Sequence, residues 1–200
     1  MININEHVFA YTTMLVDGIS KIDRSTLDSV YKVIQEAMEA GLPIYVCGNG
    51  GSAAIAQHFA CDHSKGVHSD CNVKLQPNVI SLSTNVPLIT AIANDLDYSE
   101  VYAHQLDFLP EDEGILIAIS SSGNSPNIVK AIERARKRGM VTIAFTGFDG
   151  GIASQIAHAS VHVPVHNYGV VEDIHQMIMH CLAQALRMNN TEKSLEKLKL

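Results

Sequence analysis

Two glycine- and serine-rich runs limit what this chain can fold into: Cys47-Gly48-Asn49-Gly50-Gly51-Ser52 and Ser120-Ser121-Ser122-Gly123-Asn124-Ser125-Pro126. Each follows a short apolar segment, Ile44 to Cys47 and Ile115 to Ile119, and opens a segment of helical character. A strand that ends in such a turn delivers backbone N–H groups and hydroxyls to a helix N-terminus, where the helix dipole is positive. Together the runs read as an anion cradle. The first lacks the Lys-Ser/Thr ending of a nucleotide P-loop and the glycine spacing of a dinucleotide fingerprint, so no nucleotide is indicated. Ser120, Ser121, Ser122 and Ser125 place four hydroxyls within six residues, enough to surround a phosphate without a lysine. Taken singly, each run also fits a plain strand-to-helix turn, which glycine and serine favour.

The rest of the chain alternates in the same way. An N-terminal helical region carries Phe9, Met14, Leu15 and Ile19; a second helix opens near Asp23 or Ser25, repeats Leu27, Val30, Tyr31, Ile34 and Met38 at three and four residues, and ends at Gly41 and Pro43. Apolar strands are expected at 44–47, 79–83, 115–119, 140–145 and 160–163. Helices are expected from Ser52, over Pro87 to Asn94, Glu100 to Phe108 and Ser125 to Arg138, from Gly151, and from Val171 to about Met188. Strands that are apolar throughout and separated by helices indicate an α/β fold, a doubly wound parallel sheet covered on both faces. Ligands of such sheets sit beyond the carboxyl ends of the strands, where both serine-glycine runs fall. The segment from Ser64 to Asn78 reads as a loop bordering the site. The chain divides into a helical region at 1–40, an α/β core at 41–188 and a polar tail at 189–200, all within one domain.

Composition removes several classes of function. A 46% hydrophobic content over 200 residues supports one well-buried core, and a net charge of −7 argues against general nucleic-acid binding. Anionic substrates must therefore be held locally. Cys47, Cys61, Cys71 and Cys181 show no CxxC spacing and read as reduced core thiols. No basic n-region precedes an apolar h-region, and no stretch reaches about 18 apolar residues, so a soluble, cytoplasmic protein is expected without membrane contact.

A second constellation is histidine and carboxylate on helices. His58 and Asp62 lie four residues apart, on one face of the helix that opens at the first run. They suit a proton shuttle or half of a metal site. Further on, Glu172 and His180 are separated by about 800° of helical rotation, roughly on one stripe, with Asp173 adjacent and His175 to the side. Two histidines and two carboxylates on two helices suit zinc or a similar divalent ion. With ten histidines in the chain, coincidental pairs are common; His63, His68, His104, His158, His162 and His166 read as ordinary surface or core groups, and Met177 and Met179 as packing.

The runs GNGGSAAIAQHFA, TAIANDLDYSEVY, SSSGNSPNIVKAI, GMVTIAFTGFDGG and EDIHQMIMH, in order from about residue 41 to 186, resemble a sugar-isomerase (SIS) domain of the phosphoheptose isomerase family. The resemblance implies a flavodoxin-like fold and a homotetramer packed through the N-terminal helices, with sites shared between subunits. It also implies ketose–aldose isomerisation of sedoheptulose 7-phosphate through an enediol, toward activated heptose. It carries phosphate-binding roles to Ser52, Ser120, Ser121, Ser122 and Ser125, within a substrate site that also includes Gly50, Gly51 and Glu172, and a substrate-hydroxyl role to Asn49 and Asp95. The catalytic base falls on Asp62, where the family has glutamate, and the acid on His180; zinc ligands map to His58, Asp62, Glu172 and His180. Aspartate shortens the reach of the base by one methylene, and glutamate at 172 replaces the family's glutamine. A further family aspartate corresponds to Gly169. These departures point to altered sugar specificity before loss of chemistry. SIS proteins also serve as binding proteins, among them an adaptor of the bacterial replication initiator. That adaptor lacks the acid at position 62 and the histidine at 180 that this chain retains. A sugar-phosphate sensor without turnover is a third possibility.

Overall fold

The computed structural model describes residues 2–67, 75–109 and 113–191. Five strands, β1 (Pro43–Gly48), β2 (Asn78–Ser81), β3 (Ile115–Ser120), β4 (Val141–Thr146) and β5 (Ala159–His162), form one sheet in the order β2-β1-β3-β4-β5. Every neighbouring pair is parallel. That order is the flavodoxin-like form of the doubly wound sheet.

Side-chain alternation along the strands builds two cores. Ile44, Val46, Ile115, Ile117, Ile119, Ile143 and Phe145 point to one face, while Tyr45, Cys47, Leu116, Ala118 and Ala144 point to the other. Helices α1 (Ile4–Ser20), α2 (Arg24–Glu39), α3 (Gly51–Cys61) and α8 (Tyr168–Thr191) cover the first face. Helices α4 (Val86–Asp95), α5 (Ala103–Leu106), α6 (Pro126–Lys137) and α7 (Gly151–Ile156) cover the second, and α5 is preceded by a 3₁₀ turn at Tyr98–Glu100. All six residues of β1 and of β3 are buried, which explains why these strands read as continuous apolar runs rather than alternating ones.

Several expectations change. α3 continues as a π-helix, Asp62–Val67, whose residues 64–67 belong to the segment expected as a loop. The buried His63 holds this turn, its ring stacked on Phe59 and its Nδ1 3.0 Å from the Phe59 carbonyl, while the Ser64 hydroxyl donates to the Val79 carbonyl. The helix expected over 100–108 is split between the 3₁₀ turn and α5, because Asp97 caps the turn at Ser99 N–H before α5 begins. α8 opens at Tyr168, three residues early, with the Asn167 side chain accepting from Val170 N–H. Cys47 is a buried free thiol, but Cys61 and Cys181 are exposed rather than core. Their helical positions face away from the sheet. Residues 68–74 of the expected 64–78 loop, with His68 and Cys71, and the tail beyond 191 lie outside the described residues. Among the described residues, no helix is long and apolar enough to cross a membrane.

His175, on α8, is buried against the Phe145 ring with its Nε2 3.1 Å from the Thr146 carbonyl. Burial pushes this imidazole down to about 4, and does the same to His63. An unfolded histidine takes up its proton near 6.5, these two only near 4, so between those values the unfolded chain binds more protons and stability falls with falling pH. The urea unfolding midpoint is expected to decline as pH drops from about 6.5 to 5. A flat midpoint there would contradict neutral burial.

Candidate functional site

The strand order reverses its winding between β1 and β3, and the two glycine-serine loops leave the sheet at that point. α3 packs on one face and α6 on the other, so both helix N-termini border the same crevice. Asn49, Ser52, Ile119, Ser120, Ser121, Ser122, Ser125, Tyr168 and Glu172 line a cavity of about 120 Å³ there. Among these side chains no cation appears; the donors are hydroxyls and an amide. The Ser120 hydroxyl accepts from Gly123 N–H at 3.2 Å and so shapes the loop. Ser121 Oγ is buried without any hydrogen-bond partner. A buried hydroxyl left unpaired costs free energy, and an oxyanion in the cavity would relieve it.

A third loop buttresses the second. Gly147 N–H donates to the Ser121 carbonyl at 2.8 Å, Ala153 N–H to the Gly123 carbonyl at 2.9 Å, and Ile152 N–H to Asn124 Oδ1 at 3.1 Å. The loops touch backbone to backbone: at Gly123, with φ +66°, an added Cβ would stand 1.9 Å from the Gly150 carbonyl oxygen. From the other side, Gly151, with φ +59°, would place a Cβ 2.6 Å from the Gly123 carbonyl carbon, and Gly147 would place one 2.6 Å from the Val171 side chain, which explains these two glycines of GFDGG.

The first loop is held from below. The Tyr102 hydroxyl donates to the Gly48 carbonyl, and the Ser83 hydroxyl bridges the Gly48 N–H and carbonyl. Burial is the main cause that pushes the Tyr102 phenol up to about 12, so it stays a donor.

Deeper along α8, His58, Asp62 and His180 converge. His58 Nε2 is 3.3 Å from Asp62 Oδ1 and His180 Nε2 is 3.5 Å from Asp62 Oδ2, and one ligand atom from each residue lies within 4.8 Å of the others. Donors bound tetrahedrally at zinc distances stand about 3.3 Å apart, so the set fits a divalent metal. Gln176 bridges the imidazoles, its Nε2 3.1 Å from His58 Nδ1 and 3.0 Å from His180 Nε2. When the amide donates to both, the single lone pair of His180 Nε2 is taken by Gln176, so a metal held at that nitrogen would displace this bond.

Of the four expected metal ligands, the structure brings together His58, Asp62 and His180, but not Glu172. Its carboxylate lies against Gly51 Cα, where a Cβ would be 2.2 Å from Oε2, and it lines the serine cavity instead. Eight residues leave a side chain about 80° from alignment with His180, four residues only about 40°, which is why Gln176 takes the neighbouring place. Burial, then the charge of Asp173, raises the Glu172 carboxyl above its usual range. Asp95 is exposed at the end of α4 and does not line the cavity, while Gly50 and Gly51 shape the turn without lining it. His175 falls to the side, as expected, in the core. Sequence reasoning missed Gln176 and Tyr168; the i, i+4, i+8 series Glu172, Gln176, His180 was the available signal.

At Gly169 an added Cβ would stand 2.9 Å from the Tyr11 hydroxyl. That hydroxyl donates to Asp173 Oδ2 at 2.7 Å, and the phenol is pushed up to about 12, first by burial and then by this bond. A side chain at 169 and the Tyr11 bond therefore compete for one space.

A SIS domain family model matches residues 8–147, more than half of the chain. The phosphoheptose isomerase of Helicobacter pylori (strain P12) is 34% identical over 194 residues, covering 96% of this chain and 97% of that protein. The chain belongs to the phosphoheptose isomerase family of SIS-domain proteins. The family's Desulfovibrio desulfuricans (strain ATCC 27774) member is 39% identical over 151 residues, covering 76% of this chain and 70% of its own. In structure, the phosphoheptose isomerase GmhA from Neisseria gonorrhoeae superposes with a TM-score of 0.81 at 28% identity, covering 92% of this chain and 98% of its own.

Gly169→Ala is expected to cost about 1 kcal/mol by displacing the Tyr11–Asp173 bond, and much less in a Tyr11→Phe background, where that bond is already gone. Denaturant midpoints of the two single variants and the double variant test this. Additive losses would contradict it.

Proposed function

We propose that this chain is a phosphosugar isomerase that interconverts sedoheptulose 7-phosphate and an aldose heptose 7-phosphate through an enediol, for activated-heptose biosynthesis. The observation that carries the reading is the pairing of the serine cradle, with its orphan Ser121 hydroxyl, with the His58/Asp62/His180 group farther along α8. Glu172 and His180 are eight residues apart, about 12 Å of helix rise, which suits an extended sugar phosphate bound at one end and reacting at the other. Ser52, Ser120, Ser121, Ser122 and Ser125 and the N-termini of α3 and α6 hold the phosphate in this reading. Asp62 carries the proton between C1 and C2, and His180 gives and takes protons at the sugar oxygens. Zinc held by His58, Asp62 and His180 would supply polarisation of the carbonyl. Gln176 orients both imidazoles. An adaptor or sensor has no use for a base and an acid placed 3.5 Å apart, which favours the enzyme over those readings.

The same reading makes the protein a cytoplasmic homotetramer. Ile4, Val8, Phe9 and Val16 expose an apolar face on α1, and a like surface on other copies would cover it. Sites shared between subunits belong to the same reading, supported by Tyr11 of α1 bonding Asp173, next to Glu172 of the cavity, which would bring an interface at α1 close to the site.

Incubated with sedoheptulose 7-phosphate and zinc, the wild-type protein is expected to yield an aldose phosphate in an NMR time course. Asp62→Ala is expected to lower the rate by at least about 10²-fold, the contribution of a positioned general base. Equal rates in the two proteins would remove Asp62 from the chemistry, and no product from either would remove the isomerase. Independently of turnover, one zinc per chain is expected in a direct binding titration, with His58→Ala weakening it at least about 10-fold. Unchanged zinc affinity would exclude this metal site.

A further inference from the structure

Asn127 lies in the first turn of α6, two residues past Ser125, and is 1% exposed. Its side chain crosses the crevice to the other loop. Asn49 Nδ2 donates to Asn127 Oδ1 at 2.8 Å, and Asn127 Nδ2 donates to Asn49 Oδ1 at 2.8 Å. The Tyr98 hydroxyl, from the 3₁₀ turn, adds a third bond to Asn49 Oδ1 at 3.2 Å. α6 anchors that turn as well, since Lys130 Nζ donates to Ser99 Oγ at 2.6 Å and pairs with Glu100 at 2.7 Å.

The hydrogen-bond capacity of the Asn49 amide is therefore nearly spent. A carbonyl oxygen offers two lone pairs and an NH₂ group two protons. Both lone pairs of Oδ1 are taken, by Asn127 and Tyr98, and one proton of Nδ2 is taken by Asn127. What remains is one N–H, on a residue that lines the serine cavity. We infer that Asn127 is a positioning residue, which fixes the Asn49 amide so that it presents the bound sugar with a single donor and no acceptor. Asn49 can then stabilise an oxygen that gains negative charge during enolisation, but cannot receive a proton bond from a substrate hydroxyl. This rests on the isomerase reading only for its kinetic readout. The amide geometry stands without it.

Asn127→Asp separates positioning from packing, because it keeps the shape and the acceptor for Asn49 Nδ2 but sets a carboxylate oxygen against Asn49 Oδ1. Tyr98→Phe removes one hydroxyl from an exposed ring and leaves the fold intact. With sedoheptulose 7-phosphate, Asn127→Asp is expected to lower kcat about 30-fold, with KM and the inhibition constant of inorganic phosphate each within about 3-fold of wild type. Tyr98→Phe is expected to lower kcat about 3-fold with the same split. Wild-type kcat in both variants overturns the inference, and so does a phosphate affinity that falls in step with kcat, which would make Asn127 a support of the serine cradle. Should Asn127→Asp fail to fold, Tyr98→Phe decides alone. Should the wild-type protein not turn the sugar over, the isomerase reading fails by itself, and the ratio of sugar-phosphate to inorganic-phosphate affinity is compared instead. A ratio lowered in the variants supports the inference, and an unchanged ratio overturns it.

Discussion

The reversal of winding between β1 and β3 is the constraint on which the rest of the structure depends. Parallel strands bring all their carboxyl ends to one edge, and only where neighbouring connections leave toward opposite faces do the loops part. Here the parting loops are 48–52 and 120–126, and the helices they open cover opposite faces of the sheet. Two positive helix ends thus meet one crevice without a lysine or arginine lining it. In a chain with a net charge of −7, such a crevice would hold an anion by geometry rather than by net attraction.

Rigidity at the crevice comes from backbone contacts and neutral hydrogen bonds. Gly123 against Gly150, Gly147 N–H on Ser121, Tyr102 on Gly48 and the Asn49–Asn127 amide pair each tie one loop to a different element. α8 then links cradle and chemistry, carrying Glu172 at the cavity, Gln176 between the imidazoles and His180 beside Asp62.

The strands were legible because burial on both faces writes itself as unbroken apolar runs, such as Ile115 to Ile119, and the cradle because glycine and serine mark strand-to-helix turns. His58 and Asp62 were legible from helical spacing. The fourth member of the cluster was not. Glu172 and Gln176 are both polar residues on one stripe, and only the rotation of α8 against α3 decides which one meets the imidazoles. The Tyr11–Asp173 bond and the Asn49–Asn127 pair span 162 and 78 residues of sequence, so no local pattern announces them. The continuation of α3 through residues 64–67 was hidden because Ser64, Lys65 and Gly66 read as loop residues, while the contact that holds the turn is the buried His63 stacked on Phe59.

For cradle and chemistry to serve one substrate, the two loops must act as one anion site. Backbone amide NMR shifts followed during titration with inorganic phosphate test this most directly. One shared site predicts that the amides of 51–53, 121–125 and 127 shift together, saturate at one common affinity, and lose the response in Ser121→Ala. Shifts confined to one loop, two different affinities, or no saturable shift at either loop would contradict it.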